Sequence, residues 1–187
     1  MRRPRLAMSG SAGTGKSTLG AALAERLEVP YLREGMRARL ERGLVLHDLD
    51  HDSLRALILD LWAEQRELEA GAERAHGGFV ADRSSLDFAA FWLHYHFHAD
   101  PERTAAFFDE ALGHLDRYDH VVLLPWGALP LVADGVRSSN PWMQRHYQAT
   151  LEGVAWRALS PPRLLVMPPL TELDERISWV YARIGAS

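Results

Sequence analysis

The 187-residue chain is 47% hydrophobic and carries a formal net charge of −4, which is enough apolar material for one domain with a substantial core. The acidic balance argues against nucleic acid as a partner, and no apolar run approaches the ~18 residues that a membrane span needs. Cysteine is absent, which excludes disulfide frameworks and thiolate metal sites. We therefore expect a single domain over residues 1–187 and a cytoplasmic location.

Short apolar runs alternate with longer segments of helical periodicity. The runs predict strands at residues 5–9, 29–32, 78–82, 120–125 and 163–167, and the periodic segments predict helices at 19–27, 54–68, 84–95, 101–115 and 173–184. Asp52 and Gly71 are the predicted ends of the second helix, and Thr171 with Asp174 resembles a capping pair before the last. This alternation predicts a parallel sheet with helices on both faces, which binds ligands beyond the carboxyl ends of its strands.

The first predicted strand leads into the segment GSAGTGKSTL, which holds the only lysine of the chain. Gly10, Gly15, Lys16 and Ser17 match the pattern G-x-x-x-x-G-K-[ST], in which backbone N–H groups cradle phosphates, the lysine reaches the β- and γ-phosphates and the hydroxyl holds Mg²⁺. An arginine fork is bulkier than the compact ammonium that this slot accepts. The pattern predicts ATP or GTP binding with Mg²⁺ through residues Gly10, Ser11, Ala12, Gly13, Thr14, Gly15, Lys16, Ser17 and Thr18.

Absent motifs narrow the class of P-loop protein. The chain has no N-K-x-D tetrapeptide for reading guanine and no L-S-G-G-Q signature of transporter ATPases. It is also short for a ring-forming AAA+ module with a helical lid domain. Small kinases remain.

Polar residues follow three further predicted strands. Asp82, which suits Mg²⁺, and Arg83, which suits a phosphate, end the third strand. Glu34 and Arg37 follow the second strand, where a carboxylate can accept a proton from a hydroxyl group. After the fourth strand, a glycine-containing segment can close over ATP and bring a cation to the transferred phosphoryl group, and it contains Asp134, Gly135 and Arg137.

Together these residues resemble the nicotinamide riboside kinase-like branch of P-loop proteins, which is grouped with AAA-type ATPases and is similar to deoxynucleoside and thymidylate kinases. The shared pattern is a phosphate loop, E-x-x-R after strand two, D-R after strand three and D-G-x-R in a lid, here at about residues 127–142. The resemblance implies a three-layer fold with the sheet order 2-3-1-4-5 and a small acceptor. It further implies that Glu34 is the base and Asp82 the metal ligand, although these two roles are exchangeable.

The leading hypothesis is an ATP-dependent kinase that phosphorylates a hydroxyl group of a nucleoside-like or other small metabolite. Lys16, Arg83 and Arg137 would spread the transition-state charge, and the predicted acceptor-binding residues are Glu34, Arg37, Arg83 and Asp134. One alternative is an ATPase or nucleotide switch that acts through a protein partner. Another is a kinase for an antibiotic or a nucleic-acid end. A homodimer is compatible with each of these functions.

The segment FWLHYHFH, residues 91–98, concentrates histidines and aromatic rings. His94 and His98 would share one face of a helix, yet no H-E-x-x-H arrangement is present, so packing is favoured over a metal site. Tyr95, Trp92, Trp126 and Trp142 could stack on a base, but core packing is again the preferred interpretation.

Overall fold

The computed structural model describes residues 3–130 and 140–185, and this part of the chain contains a five-stranded parallel sheet. The strand order β2-β3-β1-β4-β5 confirms the predicted one. The strands are β1 (Arg5–Ser9), β2 (Tyr31–Leu32), β3 (Phe79–Asp82), β4 (His120–Leu123) and β5 (Leu164–Val166).

Helices cover both faces of the sheet, as predicted. They are α1 (Lys16–Arg26), α2 (Gly35–Glu41), α3 (His51–His76), α4 (Ser85–His94), α5 (Pro101–Gly113), α6 (Pro141–Ala158) and α7 (Leu173–Ile184). On one face, the apolar side chains of α1 and α7 pack against β1 and β4, and on the other, those of α4 and α6 pack against β1, β3 and β4. A third apolar cluster joins α3, α4 and α5.

Three predicted helix boundaries were wrong. Helix α3 is capped by Asp50 rather than Asp52, because the Asp50 carboxylate accepts a hydrogen bond from the backbone N–H of Ser53 at 2.7 Å. The helix also continues through Gly71 and ends at Gly77, whose left-handed backbone closes it. At α7, the cap is Glu172, and the predicted Thr171–Asp174 pair does not form.

The register of the sheet brings the carboxyl ends of three strands together. Met8 of β1 lies beside Asp82 of β3, and Ser9 lies beside Leu123 of β4. The loop after β1 is therefore flanked by the residues that follow β3 and β4. No helix in the described ranges has the length and apolar character needed to cross a bilayer.

Candidate active site

The loop from Gly10 to Gly15 joins the central strand β1 to the N-terminus of α1. Gly10 has φ 151°, and a Cβ atom there would lie 2.9 Å from Thr14 Oγ1 and 3.3 Å from the Leu124 carbonyl. A larger residue would thus be strained and would press against the backbone after β4. Lys16 opens the helix with only 4% of its surface exposed, and its ammonium donates to the Ser11 carbonyl at 2.7 Å. The loop is closed around a buried cation.

Two glutamines of α6 hold the first part of this loop from outside. Gln148 Oε1 accepts from the Ser11 N–H at 2.8 Å, and Gln144 Oε1 accepts from the Ala12 N–H at 3.1 Å. Gln148 Nε2 also donates to the Leu124 carbonyl at 3.0 Å, which ties the loop to the end of β4. These bonds satisfy two loop amides, and the loop then runs into the N-terminus of α1, the kind of helix end that favours anions.

Asp82 and Ser17 meet beside the buried lysine. Ser17 Oγ donates to Asp82 Oδ2 at 2.6 Å, and the Tyr31 hydroxyl donates to the same oxygen at 2.7 Å. Burial alone would raise the pKa of Asp82, but the Lys16 charge and the Ser17 hydrogen bond outweigh it and hold that pKa below its ordinary value. The carboxylate is therefore kept ionised.

The second oxygen of this carboxylate makes the pair suitable for Mg²⁺. Asp82 Oδ1 is buried and has no hydrogen-bond partner within residues 3–130 and 140–185. An orphaned carboxylate oxygen next to a serine hydroxyl is a hard oxygen donor set of the kind Mg²⁺ prefers when it also binds phosphates. The residues present thus fit the predicted ion, which Ser17 Oγ and Asp82 Oδ1 would hold.

A second, separate ionic cluster surrounds Arg83. Its Nε lies 2.5 Å from Glu34 Oε1, and its Nη1 lies 3.1 Å from Asp87 Oδ1. Burial alone would lower the pKa of Arg83, but the neighbouring carboxylates raise it well above its ordinary value. The Tyr147 hydroxyl donates to Asp87 Oδ1 at 3.0 Å, which adds α6 to the cluster. All four side chains are buried.

The backbone of Arg83 is strained. Its φ of 125° lies in a region that side-chain-bearing residues avoid, and such a conformation costs about 1–3 kcal/mol. The guanidinium lies 4.8 Å from the centre of the Phe91 ring, so packing and both ion pairs hold it in place. Strain that persists against this cost tends to occur at sites where geometry serves function.

The remaining predicted site residues are less closely grouped. Arg37 lies on the exposed side of α2, where its Nε is 2.9 Å from Glu41 Oε1. Thr18 is exposed on α1. Asp134, Gly135 and Arg137 lie outside the described residues, as does most of the predicted lid, whose last two positions form the first turn of α6. The roles assigned to these residues remain predictions.

The histidine segment is not one helix face. Helix α4 ends at His94, and His98 lies in a separate short turn, so the predicted pairing of the two does not occur. Instead, His94 Nδ1 lies 3.1 Å from His146 Nδ1 of α6. Burial, with the nearby charges of His146 and His96, lowers the pKa of His94 to about 4. Trp92 of the same segment is fully buried and stacks on Phe107, as core packing predicts.

The lowered pKa of His94 predicts that the folded protein loses stability in mild acid. Unfolded chains protonate His94 near its ordinary pKa of 6.5, whereas the folded chain does so only near 4. The stability that neutral His94 contributes is therefore fully present above pH 6.5 and is lost as the pH falls from 6.5 toward 4. We expect urea unfolding to show about 1 kcal/mol more loss in the wild type than in His94→Gln between these limits. The exposed His98→Gln should behave like the wild type. Equal losses in the wild type and His94→Gln would contradict the assignment.

Three residues at this site were missed by the sequence analysis: Gln144 and Gln148, which hold the loop amides, and Arg176 of α7, which contacts the loop carbonyl of Thr14 at 2.7 Å. The glutamines lie four residues apart on one helix. This four-residue spacing, close to the apolar residues Tyr147 and Leu151, was the available sequence signal that a polar side of the helix turns inward.

Comparisons with known proteins agree with this geometry. A family model described as an AAA domain matches residues 5–176. Over 87 residues the chain is 37% identical to the bifunctional pantoate ligase/cytidylate kinase of Synechococcus sp. (strain CC9311), a match that covers 43% of this chain and 18% of that protein. The chain thus spans less than a fifth of this curated relative.

Two solved structures share the fold. The NadR protein in complex with NAD and AMP-PNP matches with a TM-score of 0.76 at 17% identity, over 100% of this chain and 51% of the NadR chain. Deoxyadenosine kinase from M. mycoides with bound dATP matches with a TM-score of 0.68 at 12% identity, over 97% of this chain and 100% of that chain. The predicted resemblance is confirmed at the level of family and fold. Because the family model covers most of its length, the chain belongs to the AAA domain family, and it has the kinase-like P-loop fold.

Proposed function

We propose that this protein is an ATP-dependent kinase that transfers the γ-phosphoryl group to a hydroxyl group of a nucleoside-like small molecule. The observation that carries the proposal is the separation of two carboxylates at one edge of the sheet. Asp82 is tied to Ser17 beside Lys16, whereas Glu34 is tied to Arg83. A phosphoryl-transfer site needs one carboxylate for the metal and another near the acceptor.

Several comparisons support this class of reaction. The NadR structure holds AMP-PNP, a non-hydrolysable ATP analogue, and the M. mycoides enzyme is named a deoxyadenosine kinase. The Synechococcus relative is partly a cytidylate kinase. Deoxyadenosine and cytidylate are the nucleoside and the nucleotide in two of these names, and the NadR complex contains NAD, which together favour a nucleoside-like acceptor for this chain.

The two carboxylates suit different roles. The depressed pKa of Asp82 makes its carboxylate a poor proton acceptor, and both of its hydroxyl contacts use the same oxygen. Asp82 is therefore assigned to the metal with Ser17, and Glu34 is assigned to the acceptor. When bound, Mg²⁺ would supply charge neutralisation at the phosphate oxygens.

In the proposed reaction, the acceptor oxygen forms a new bond to the γ-phosphorus as the bond from that phosphorus to the β-bridging oxygen breaks, and ADP leaves. The acceptor hydroxyl proton passes to Glu34. Lys16 and Arg83 stabilise the charge on the phosphoryl oxygens, and Arg83 also keeps the Glu34 carboxylate in one orientation. Positioning and electrostatics do most of the catalysis in this chemistry, because the transition state is loose.

The direct test is ADP release from ATP and Mg²⁺ with and without a panel of nucleosides, dinucleotides and other small hydroxyl compounds. We expect at least one nucleoside-like compound to stimulate ADP release and to gain the mass of one phosphoryl group by mass spectrometry. Slow ADP release that no acceptor stimulates would favour a nucleotide switch instead, if a partner protein also binds this chain only in the presence of ATP.

Glu34→Gln separates the acceptor role from ATP binding. We expect the rate of acceptor phosphorylation to fall about tenfold to a hundredfold. This loss is at or below the usual contribution of a general base, because little proton transfer takes place in a loose transition state. The ATP dissociation constant should stay unchanged. Glu102→Gln, which removes an exposed carboxylate in the first turn of α5, is the control. Unchanged turnover in Glu34→Gln would remove the base from this mechanism.

A further inference from the structure

Arg176 lies in the first turn of α7 and contacts the phosphate loop at Thr14, whereas Gln144 and Gln148 contact it at Ala12 and Ser11. Only 3% of its surface is exposed. Its Nη2 donates to the Thr14 carbonyl at 2.7 Å, and its Nε donates to Met167 Sδ at 3.5 Å. The proposed phosphoryl-transfer reaction does not involve this side chain.

The charge of Arg176 has no carboxylate partner in the described ranges 3–130 and 140–185. Burial lowers its pKa, and no acidic neighbour raises it, in contrast to Arg83 with its two carboxylates. An arginine stays protonated even so. A buried charge without a counter-charge is unfavourable, so its retention points to an anion that the described residues do not supply.

The loop is shaped around this guanidinium. Gly15 has φ 78°, and a Cβ atom added there would collide with Arg176 Nη1. Any other residue at position 15 would therefore be strained and would push the arginine away. The close fit makes the arginine and the loop one unit.

The contact also sets the direction of one amide. The Thr14 carbonyl and the Gly15 N–H belong to the same planar trans peptide, so they point in opposite directions. By donating to the carbonyl, Arg176 fixes the Gly15 N–H on the side of the loop away from the guanidinium. It also polarises the peptide, which makes that N–H a stronger donor to an anion.

We propose that Arg176 is a positioning residue for the phosphate chain of the nucleotide, which orients the Gly15 amide and adds a positive charge that the bound phosphates neutralise. The proposal rests on the nucleotide binding that the proposed function requires, and it assigns Arg176 to the phosphates rather than to the base. Its contribution must therefore grow with the charge of the phosphate chain.

The test is equilibrium binding by calorimetry without any acceptor, so that it does not depend on turnover. The probes are ATP, AMP and inorganic tripolyphosphate, each with Mg²⁺, and the variants are Arg176→Met and Arg176→Lys. Arg183→Met, on the exposed side of the same helix, is the matched control.

For Arg176→Met we expect at least about a tenfold weaker affinity for ATP and a similar factor for tripolyphosphate, the size of one charge interaction across several ångströms of protein. AMP should change about twofold or less, and Arg183→Met should match the wild type. Arg176→Lys keeps a charge but loses the fork, so its ATP affinity should fall between those of the wild type and Arg176→Met.

Several results would overturn the proposal. These are an unchanged ATP affinity in Arg176→Met, an equal loss for ATP and AMP with none for tripolyphosphate, or a wild type that binds none of the three. If Arg176→Met does not fold by circular dichroism, Arg176→Lys decides, and wild-type ATP affinity in that variant would refute the positioning role. A wild type that binds ATP but phosphorylates no acceptor would refute the proposed function and leave this inference standing.

Discussion

Lys16→Ala is expected to lower kcat for phosphoryl transfer by about 10²–10³, the usual effect of removing one preorganised donor from a transition-state oxygen. The loss follows from the position of the ammonium, which is buried at the start of α1 and aimed along the loop at the Ser11 carbonyl. Steady-state ADP release with a saturating acceptor measures it, and circular dichroism checks the fold.

Two companion variants sharpen this prediction. Lys16→Arg should not restore turnover, because the guanidinium fork is too bulky for a slot enclosed by loop backbone. Arg26→Ala removes a partly exposed cation at the other end of the same helix, so its turnover should equal that of the wild type. Wild-type turnover in Lys16→Ala would contradict the assignment of this loop to catalysis.

Arg83→Met is expected to lower the free energy of unfolding by about 3–5 kcal/mol and to abolish measurable phosphoryl transfer. The substitution keeps much of the side-chain volume but leaves Glu34 and Asp87 buried without their shared cation. An uncompensated buried charge is far more costly than a lost surface pair. Urea unfolding at neutral pH gives the stability change directly.

The control for this variant is Arg66→Met. Arg66 also forms an ion pair, with Glu110, and lies over a ring, that of Trp62, but both charged side chains are more than a third exposed. Its loss should cost no more than about 1 kcal/mol. If Arg83→Met were as mild as Arg66→Met, the buried cluster would not be what holds Glu34 in place.

The sequence was sufficient for those parts of the site whose chemistry is local. The phosphate loop needs its glycines, lysine and serine at fixed spacing, and Asp82 and Arg83 follow directly on an uninterrupted apolar strand. Parallel strands bring such positions to one edge, so the meeting of Asp82 with Ser17 was predictable from the alternation of strands and helices. The sheet order came from the family resemblance instead of from the pattern itself.

Helix α6 could not be predicted because its apolar residues do not follow a clear helical period. Gln144 and Gln148 occupy the buried stripe with Tyr147, while Trp142 and Trp156 are 70% and 58% exposed. Polar residues inside and aromatic residues outside hide a helical period. Which side of such a helix turns inward depends on its packing against α4, which is a tertiary property.

The burial of Arg176 could not be predicted for a related reason. It precedes Ile177 in the apolar stripe of α7, where a charged neighbour normally lies in solvent. Its burial results from the approach of α7 to the loop after β1, two segments more than 150 residues apart in the chain. No spacing rule within one helix contains that information.

The isolation of Lys16 has a practical consequence for protein chemistry. These 187 residues contain one side-chain primary amine, and it is enclosed in the phosphate loop. Acylating reagents and amine-directed cross-linkers therefore meet almost no target on the folded surface other than a free amino terminus. The rate at which such a reagent modifies Lys16 becomes a direct report of how often this loop opens.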